Sequence, residues 1–145
     1  MSHVKVMVHA VWCTKYRRPS LSDQIRPVVL DHIRRNARRN DIYIDIINGY
    51  VDHLHALIGL NTSLSISKVM QLLKGESAFW INREKLLQDR FEWANEYFVV
   101  SVGPSEVNRV RAYIHNQQVH HRNVSFDREW AKFAARYGVS INMFI

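Results

Sequence analysis

From His3 to Cys13 the chain alternates: Val4, Val6, Val8, Ala10 and Trp12 fall on one side, Lys5, Met7, His9, Val11 and Cys13 on the other. A period of two predicts a strand. The basic stretch Lys15-Tyr16-Arg17-Arg18-Pro19 follows. Pro19 disfavours helix at Arg18, so this stretch reads as a loop. From Ser22 to Arg39 the period changes, with Ile25, Val29, His32, Ile33 and Ala37 at helical spacing. Arg34, Arg35, Arg38 and Arg39 crowd the end of that helix, where cations suit its dipole. Pro27 would remove a hydrogen bond from a helix begun at Ser22, which leaves a later start open.

Two strands are predicted next, Ile42 to Val51 and His53 to Leu60, and either Asn48-Gly49 or Asp52 can hold the turn between them. Asn61-Thr62-Ser63 ends the second, and a helix follows from about Ser65 to Lys85. Gly75 within that helix costs about 1 kcal/mol relative to Ala, so it marks a bend or a close approach. Tyr97 to Val102 reads as a fourth strand, broken by Gly103-Pro104. Ser105 can cap a helix from about Glu106 to His121. A short helix spans Asp127 to Tyr137 with Trp130 and Phe133 on one face, and Gly138 stops it. The apolar tail Val139 to Ile145 is expected to pack back on the body.

The first six elements have the ferredoxin-like order βαββαβ. The predicted class is α+β: an antiparallel sheet with added C-terminal helices, the first carrying Tyr113. The chain has 145 residues, which predicts a single domain over 1–145. With 47% hydrophobic and 23% charged residues it has the composition of a folded globular protein. No stretch approaches the 18 apolar residues of a membrane span, and the N-terminus lacks a signal peptide's apolar core. A cytoplasmic protein without a membrane partner is expected. The single cysteine, Cys13, excludes an intrachain disulfide and a Cys-rich zinc site. Twenty Lys and Arg against thirteen Asp and Glu leave +7. That excess points to a polyanion such as nucleic acid, although a protein can also simply be basic.

His53 and His55 are two apart in a predicted strand, so both imidazoles project from one face while Leu54 points into the opposite layer. Such a pair can share a cation. It can also be two unconnected histidines near a turn. Tyr113 and Gln117, four apart in a predicted helix, share a polar strip with Arg109 and His120. Val107, Val110 and Ile114 form the neighbouring apolar stripe, so Tyr113 can also be a rim residue. Together the two pieces are complementary. Phosphodiester transfer through a side-chain hydroxyl needs a nucleophile, a Lewis acid and alignment. Tyr113 supplies the hydroxyl. His53, His55 and the Gln117 amide oxygen can supply three ligands, a mixed set that suits magnesium or manganese better than structural zinc.

The chain resembles the single-tyrosine HUH transposases, the TnpA type of small bacterial insertion sequences. The resemblance rests on HAVWCTKYRRP, on DHLHALIGL with His53-Leu54-His55 as the HUH motif, on QLLKGESAFWINRE and YFVVSVG, and on YIHNQ. In that last motif Tyr113 matches the nucleophile and Gln117 the third ligand. FDREWAKFAARYGV resembles the family's C-terminal helix. The resemblance implies a metal-dependent enzyme that cleaves single-stranded DNA near hairpin ends. Its tyrosine forms a 5′-phosphotyrosine, frees a 3′-hydroxyl, and a second 3′-hydroxyl rejoins the strand without a nucleotide cofactor. It also implies a homodimer in which one subunit's tyrosine helix often completes the other's metal site. In this reading Lys15, Tyr16, Arg17, Arg18 and Lys74 contact DNA, with Tyr16 stacking on a base. The four arginines of the first helix contact hairpin phosphates or form a solvated face.

Three rivals follow from the same residues. A ferredoxin-like RNA-binding module would need aromatics on its central strands, and HALIGL has none. A metal-dependent hydrolase would activate water and would not need Tyr113. A domesticated relative that processes chromosomal palindromes would share the chemistry.

Overall fold

The computed structural model describes residues 2–138. Its elements are β1 (Val6–Cys13), α1 (Arg26–Arg39), β2 (Tyr43–Gly49), β3 (His53–Leu60), α2 (Ile66–Arg83), β4 (Phe98–Val102), α3 (Val107–His115), α4 (Gln117–His121) and α5 (Phe126–Tyr137). The strands form one sheet in the order β2-β3-β1-β4, every neighbouring pair antiparallel. This is the α+β, βαββαβ arrangement with helices appended. The tail expected to pack back, residues 139–145, lies outside the described residues.

The alternation in β1 separates two layers. Val8, Ala10 and Trp12 enter the main core with Val29 and Ile33 of α1, Leu54 and Ile58 of β3, and Met70 and Leu73 of α2. On the other face Val11 and Cys13 meet Phe126, Trp130 and Ala134 of α5, while Met7 and Leu57 meet Ile114 of α3. Both faces of the two central strands are therefore covered. His9, His53 and His55 lie on the α3–α5 side and are buried.

The structure settles several boundaries and moves others. Helix α1 begins at Arg26, with Pro27 in its first turn, where a missing N–H costs no intrahelical bond. The hairpin turn lies at Tyr50–His53, the Tyr50 N–H donating to the His53 carbonyl at 3.0 Å. Asn48 and Gly49 remain in β2. Gly49 is required by close approach, since a Cβ there would overlap the His53 carbonyl oxygen and press on the Leu54 backbone. Helix α2 runs unbroken through Gly75, where a Cβ would meet nothing within 4 Å, so neither expected reason for that glycine applies. The single helix expected from Glu106 to His121 is two, α3 and α4, separated at Asn116 (φ −96°, ψ 21°). Ser125 caps α5 by accepting from the Arg128 N–H, and Gly138 ends it in the left-handed conformation at φ 69°.

Two clamps seat α3 and α4 on the sheet. The register of β2 against β3 shifts between Ile44 and Ile46, which sets Asp45 apart from the ladder. Its carboxylate accepts two hydrogen bonds from Arg111 of α3, each 2.7 Å. Asn48 donates to the carbonyls of Ile114 (3.1 Å) and His115 (3.0 Å), the last of α3, and to Oε1 of Gln118 (3.1 Å). Gln118 returns bonds to Asn48 Oδ1 (2.7 Å) and the Gly49 carbonyl (3.1 Å). Asn48 thus holds the end of α3 and the start of α4 together.

Candidate active site

His53 and His55 project from β3 toward α4 and α5. Nδ1 of His53 lies 2.8 Å from Oδ1 of Asp52. An ionised carboxylate only accepts, so Nδ1 carries a proton. Nε2 faces Oε1 of Gln117 at 3.1 Å and Oε1 of Glu129 at 3.4 Å. Nε2 of His55 lies 2.9 Å from the same Glu129 oxygen, and its Nδ1 lies 2.8 Å from Nε2 of His9. The other Glu129 oxygen, Oε2, accepts a hydrogen bond from the Tyr113 hydroxyl and stands 3.4 Å from Nε2 of Gln117. His120 and His121 of α4 approach Oε2 at 3.1 and 3.2 Å.

Burial governs the charges. It is the main cause that lowers His55 to about 4 and His9 to about 3, so both are neutral near pH 7. On His53 burial acts in the same direction, but the bonds to Asp52 and Glu129 outweigh it and its pKa is raised. Burial alone would raise Glu129; the histidines grouped around it, His55 first, then His121 and His53, hold it well below the carboxylate range. Burial, then the Glu129 carboxylate, pushes the Tyr113 hydroxyl far above its ordinary value. Tyr113 is therefore a protonated, oriented donor.

This donor set fits a divalent cation. His53, His55 and Glu129 offer ligand atoms within 4.8 Å of one another, and the Gln117 oxygen adjoins them. The inner nitrogens of both rings face these oxygens, while Asp52 and His9 hold the rings from behind, as metal-binding histidines require. Outside the cluster a cleft of about 350 Å³ opens past Tyr113, His120 and Glu129, with Arg109, Lys132 and Arg136 on its walls.

The residues singled out from the sequence fall into two groups. Tyr113, Gln117, His53 and His55 meet in one place within one chain. Lys15, Tyr16, Arg17 and Arg18 form the turn after β1. Lys15 pairs with Glu92 at 2.8 Å, and Tyr16 is 76% exposed with the Arg18 guanidinium 5.2 Å from its ring centre. Arg17 grips Asp127 with both guanidinium nitrogens, tying this turn to the first turn of α5. Lys74 donates to the carbonyls of Ala94 (2.9 Å), Asn95 (3.1 Å) and Glu96 (3.2 Å), so its ammonium holds the segment before β4. Sequence reasoning missed Glu129, Asp52, His9 and His121. Glu129 had a signal: it lies at helical spacing among Phe126, Trp130 and Phe133, a charge inside an apolar stripe.

The model of the family described as "Transposase IS200 like" matches residues 2–117, a span that includes the His pair, Tyr113 and Gln117 but stops short of Glu129. The chain belongs to the IS200-like transposases, a family of DNA-processing enzymes. Among its relatives is the ISDra2 transposase TnpA of Deinococcus radiodurans, 26% identical over 115 residues, covering 75% of this chain and 81% of that protein. The transposase for insertion sequence element IS200 of Salmonella typhimurium is 26% identical over 114 residues, covering 75% and 74%. A crystal structure described as a transposase of Deinococcus radiodurans superposes with a TM-score of 0.65 at 26% identity, covering 80% of this chain and 93% of that one. A REP-associated tyrosine transposase bound to a REP hairpin shares the fold, with a TM-score of 0.63 at 16% identity over 86% of this chain and 73% of that one.

Proposed function

We propose that this transposase cleaves and rejoins single-stranded DNA at the ends of an insertion sequence, with Tyr113 as the covalent nucleophile. The observation that carries the reading is convergence. The Tyr113 hydroxyl, the His53–His55 pair and Gln117 share one carboxylate, Glu129, at the inner end of a cleft with cationic walls. In this reading Tyr113 attacks a phosphodiester, its oxygen bonds to phosphorus, and the bond to the 3′ oxygen breaks; the leaving oxygen takes a proton from solvent and is freed as a 3′-hydroxyl. The hydroxyl proton departs on the Glu129 side, where its hydrogen bond already points. The incoming 3′-hydroxyl of a second strand reverses the step.

His53, His55, Gln117 and Glu129 would hold a magnesium or manganese ion, which supplies Lewis-acid polarisation of a phosphate oxygen. Asp52 and His9 orient the two imidazoles from behind. Arg109, Lys132 and Arg136 attract the strand's phosphates into the cleft, while the exposed Tyr16 and Arg18 offer a stacking platform beyond it. Hairpin DNA as the substrate form is supported by the fold shared with the hairpin-bound REP-associated structure. A homodimer is part of the proposal on family grounds. A cytoplasmic setting suits an enzyme acting on DNA; among the described residues no helix is long and apolar enough to cross a membrane.

The test is incubation with a labelled single-stranded oligonucleotide library and manganese, then denaturing electrophoresis and peptide mapping. Wild type should give a covalent adduct at Tyr113, and Tyr113→Phe should fold, bind DNA and give none. An adduct on another residue, or full yield from Tyr113→Phe, would overturn the assignment. Cleavage without adduct would favour a water-activating hydrolase.

A further inference from the structure

Beyond the His53–His55 pair, a second group of nitrogens converges on Glu129 from α4. Nε2 of His120 and Nε2 of His121 lie 3.1 and 3.2 Å from Glu129 Oε2, and the three ligand atoms lie within 4.8 Å of one another. Among the described residues both Nε2 atoms are sealed from solvent and have no hydrogen-bond partner. The His121 side chain is 2% exposed. Its Nδ1 lies 2.6 Å from the Val124 carbonyl oxygen. A carbonyl only accepts, so Nδ1 carries a proton, and the buried Nε2 is left facing a carboxylate oxygen. A buried nitrogen and a carboxylate oxygen at this separation call for positive charge between them.

We propose that His120, His121 and Glu129 form a second divalent-cation site, joined through the Glu129 carboxylate to the site of His53, His55 and Gln117. The two carboxylate oxygens divide accordingly: Oε1 faces His55 and His53 at 2.9 and 3.4 Å, and Oε2 faces α4. Two imidazoles and one carboxylate select a first-row transition cation such as Mn²⁺ over the all-oxygen preference of Mg²⁺ or Ca²⁺. The second site adjoins the Tyr113 hydroxyl, which donates to the same Oε2, on the side that opens to the cleft. A cation held there would add Lewis-acid character beside the Tyr113 hydroxyl. The inference rests on the first site being a metal site, as proposed above.

The experiment is Mn²⁺ binding to the full chain, without DNA, by equilibrium dialysis with elemental analysis, alongside electron paramagnetic resonance. Wild type should bind two ions per chain, with a spectrum broadened by coupling between them. His120→Ala with His121→Ala, and separately His53→Ala, should each bind one ion and give the hyperfine pattern of an isolated Mn²⁺. Because the His120 side chain is 28% exposed, His120→Ala alone should keep the fold, checked by circular dichroism, and weaken the second ion at least tenfold. One ion in wild type, lost in His53→Ala and retained at full affinity without His120 and His121, overturns the second site and leaves the proposed function standing. One ion lost equally in both sets of variants means a single shared site and also overturns it. No ion in wild type removes both metal readings.

Discussion

Replacing Asn48 with Ala should loosen the candidate active site without touching it. The Asn48 amide donates to the carbonyls of Ile114 and His115 and to Gln118, and accepts from Gln118. Four hydrogen bonds at about 0.5–1 kcal/mol each give a loss of about 2–3 kcal/mol, set toward the lower end because Asn48 is half-buried. At this chain length that is a fall in Tm of about 6–9 °C. The change also frees the junction at Asn116 between Tyr113 and Gln117. A misplacement of about 1 Å between reacting groups costs on the order of 100-fold, so adduct formation should slow by about 10- to 100-fold. Asn48→Asp keeps the shape but turns an oxygen onto two carbonyls, and should lose more stability than the alanine variant. Thermal unfolding by circular dichroism and single-turnover adduct kinetics measure the two effects. A loss under about 0.5 kcal/mol with wild-type adduct kinetics would refute the view that Asn48 seats both helices.

Gly49→Ala should cost about 3 kcal/mol, because the added Cβ meets the His53 backbone rather than a flexible side chain; denaturant unfolding near wild-type stability would contradict this. Asp45 has a depressed pKa, first through its hydrogen bonds from Arg111. Its contribution to stability is therefore present above the unfolded carboxyl value of about 3.9 and is lost as pH falls through the lower folded value. Asp45→Asn should accordingly be less stable than wild type at pH 7, with the gap narrowing as pH falls below about 3.9, and a gap that does not narrow in acid unfolding curves would refute the linkage. Tyr16→Ala should weaken binding of single-stranded oligonucleotides about tenfold by fluorescence anisotropy while leaving Tm unchanged, since its ring is exposed. Unaltered affinity would remove Tyr16 from the DNA surface.

What the sequence determined by itself was local in origin. The period of two in β1 and the spacing of His53 and His55 place side chains on faces through backbone geometry alone, and no neighbour can change that. The shift from period two to helical spacing likewise made the βαββαβ order legible. Boundaries were less so. Asn48-Gly49 has the composition of a hairpin turn, yet Asn48 has better use as a clamp for α3 and α4, and the turn lies at Tyr50–His53, the Asp52 alternative. The break at Asn116 came with that clamp. Lys74 read as a DNA contact because an isolated lysine carries only its charge; three carbonyls from a segment about twenty residues away occupy it. Glu129 is the largest such case. It reaches His55 from 74 positions along the chain, and its place depends on α5 packing Phe126 and Trp130 against β1 and β4. Spacing rules reach about one helical turn or one strand pair, so a carboxylate brought in by packing between distant elements is decided only by the tertiary structure.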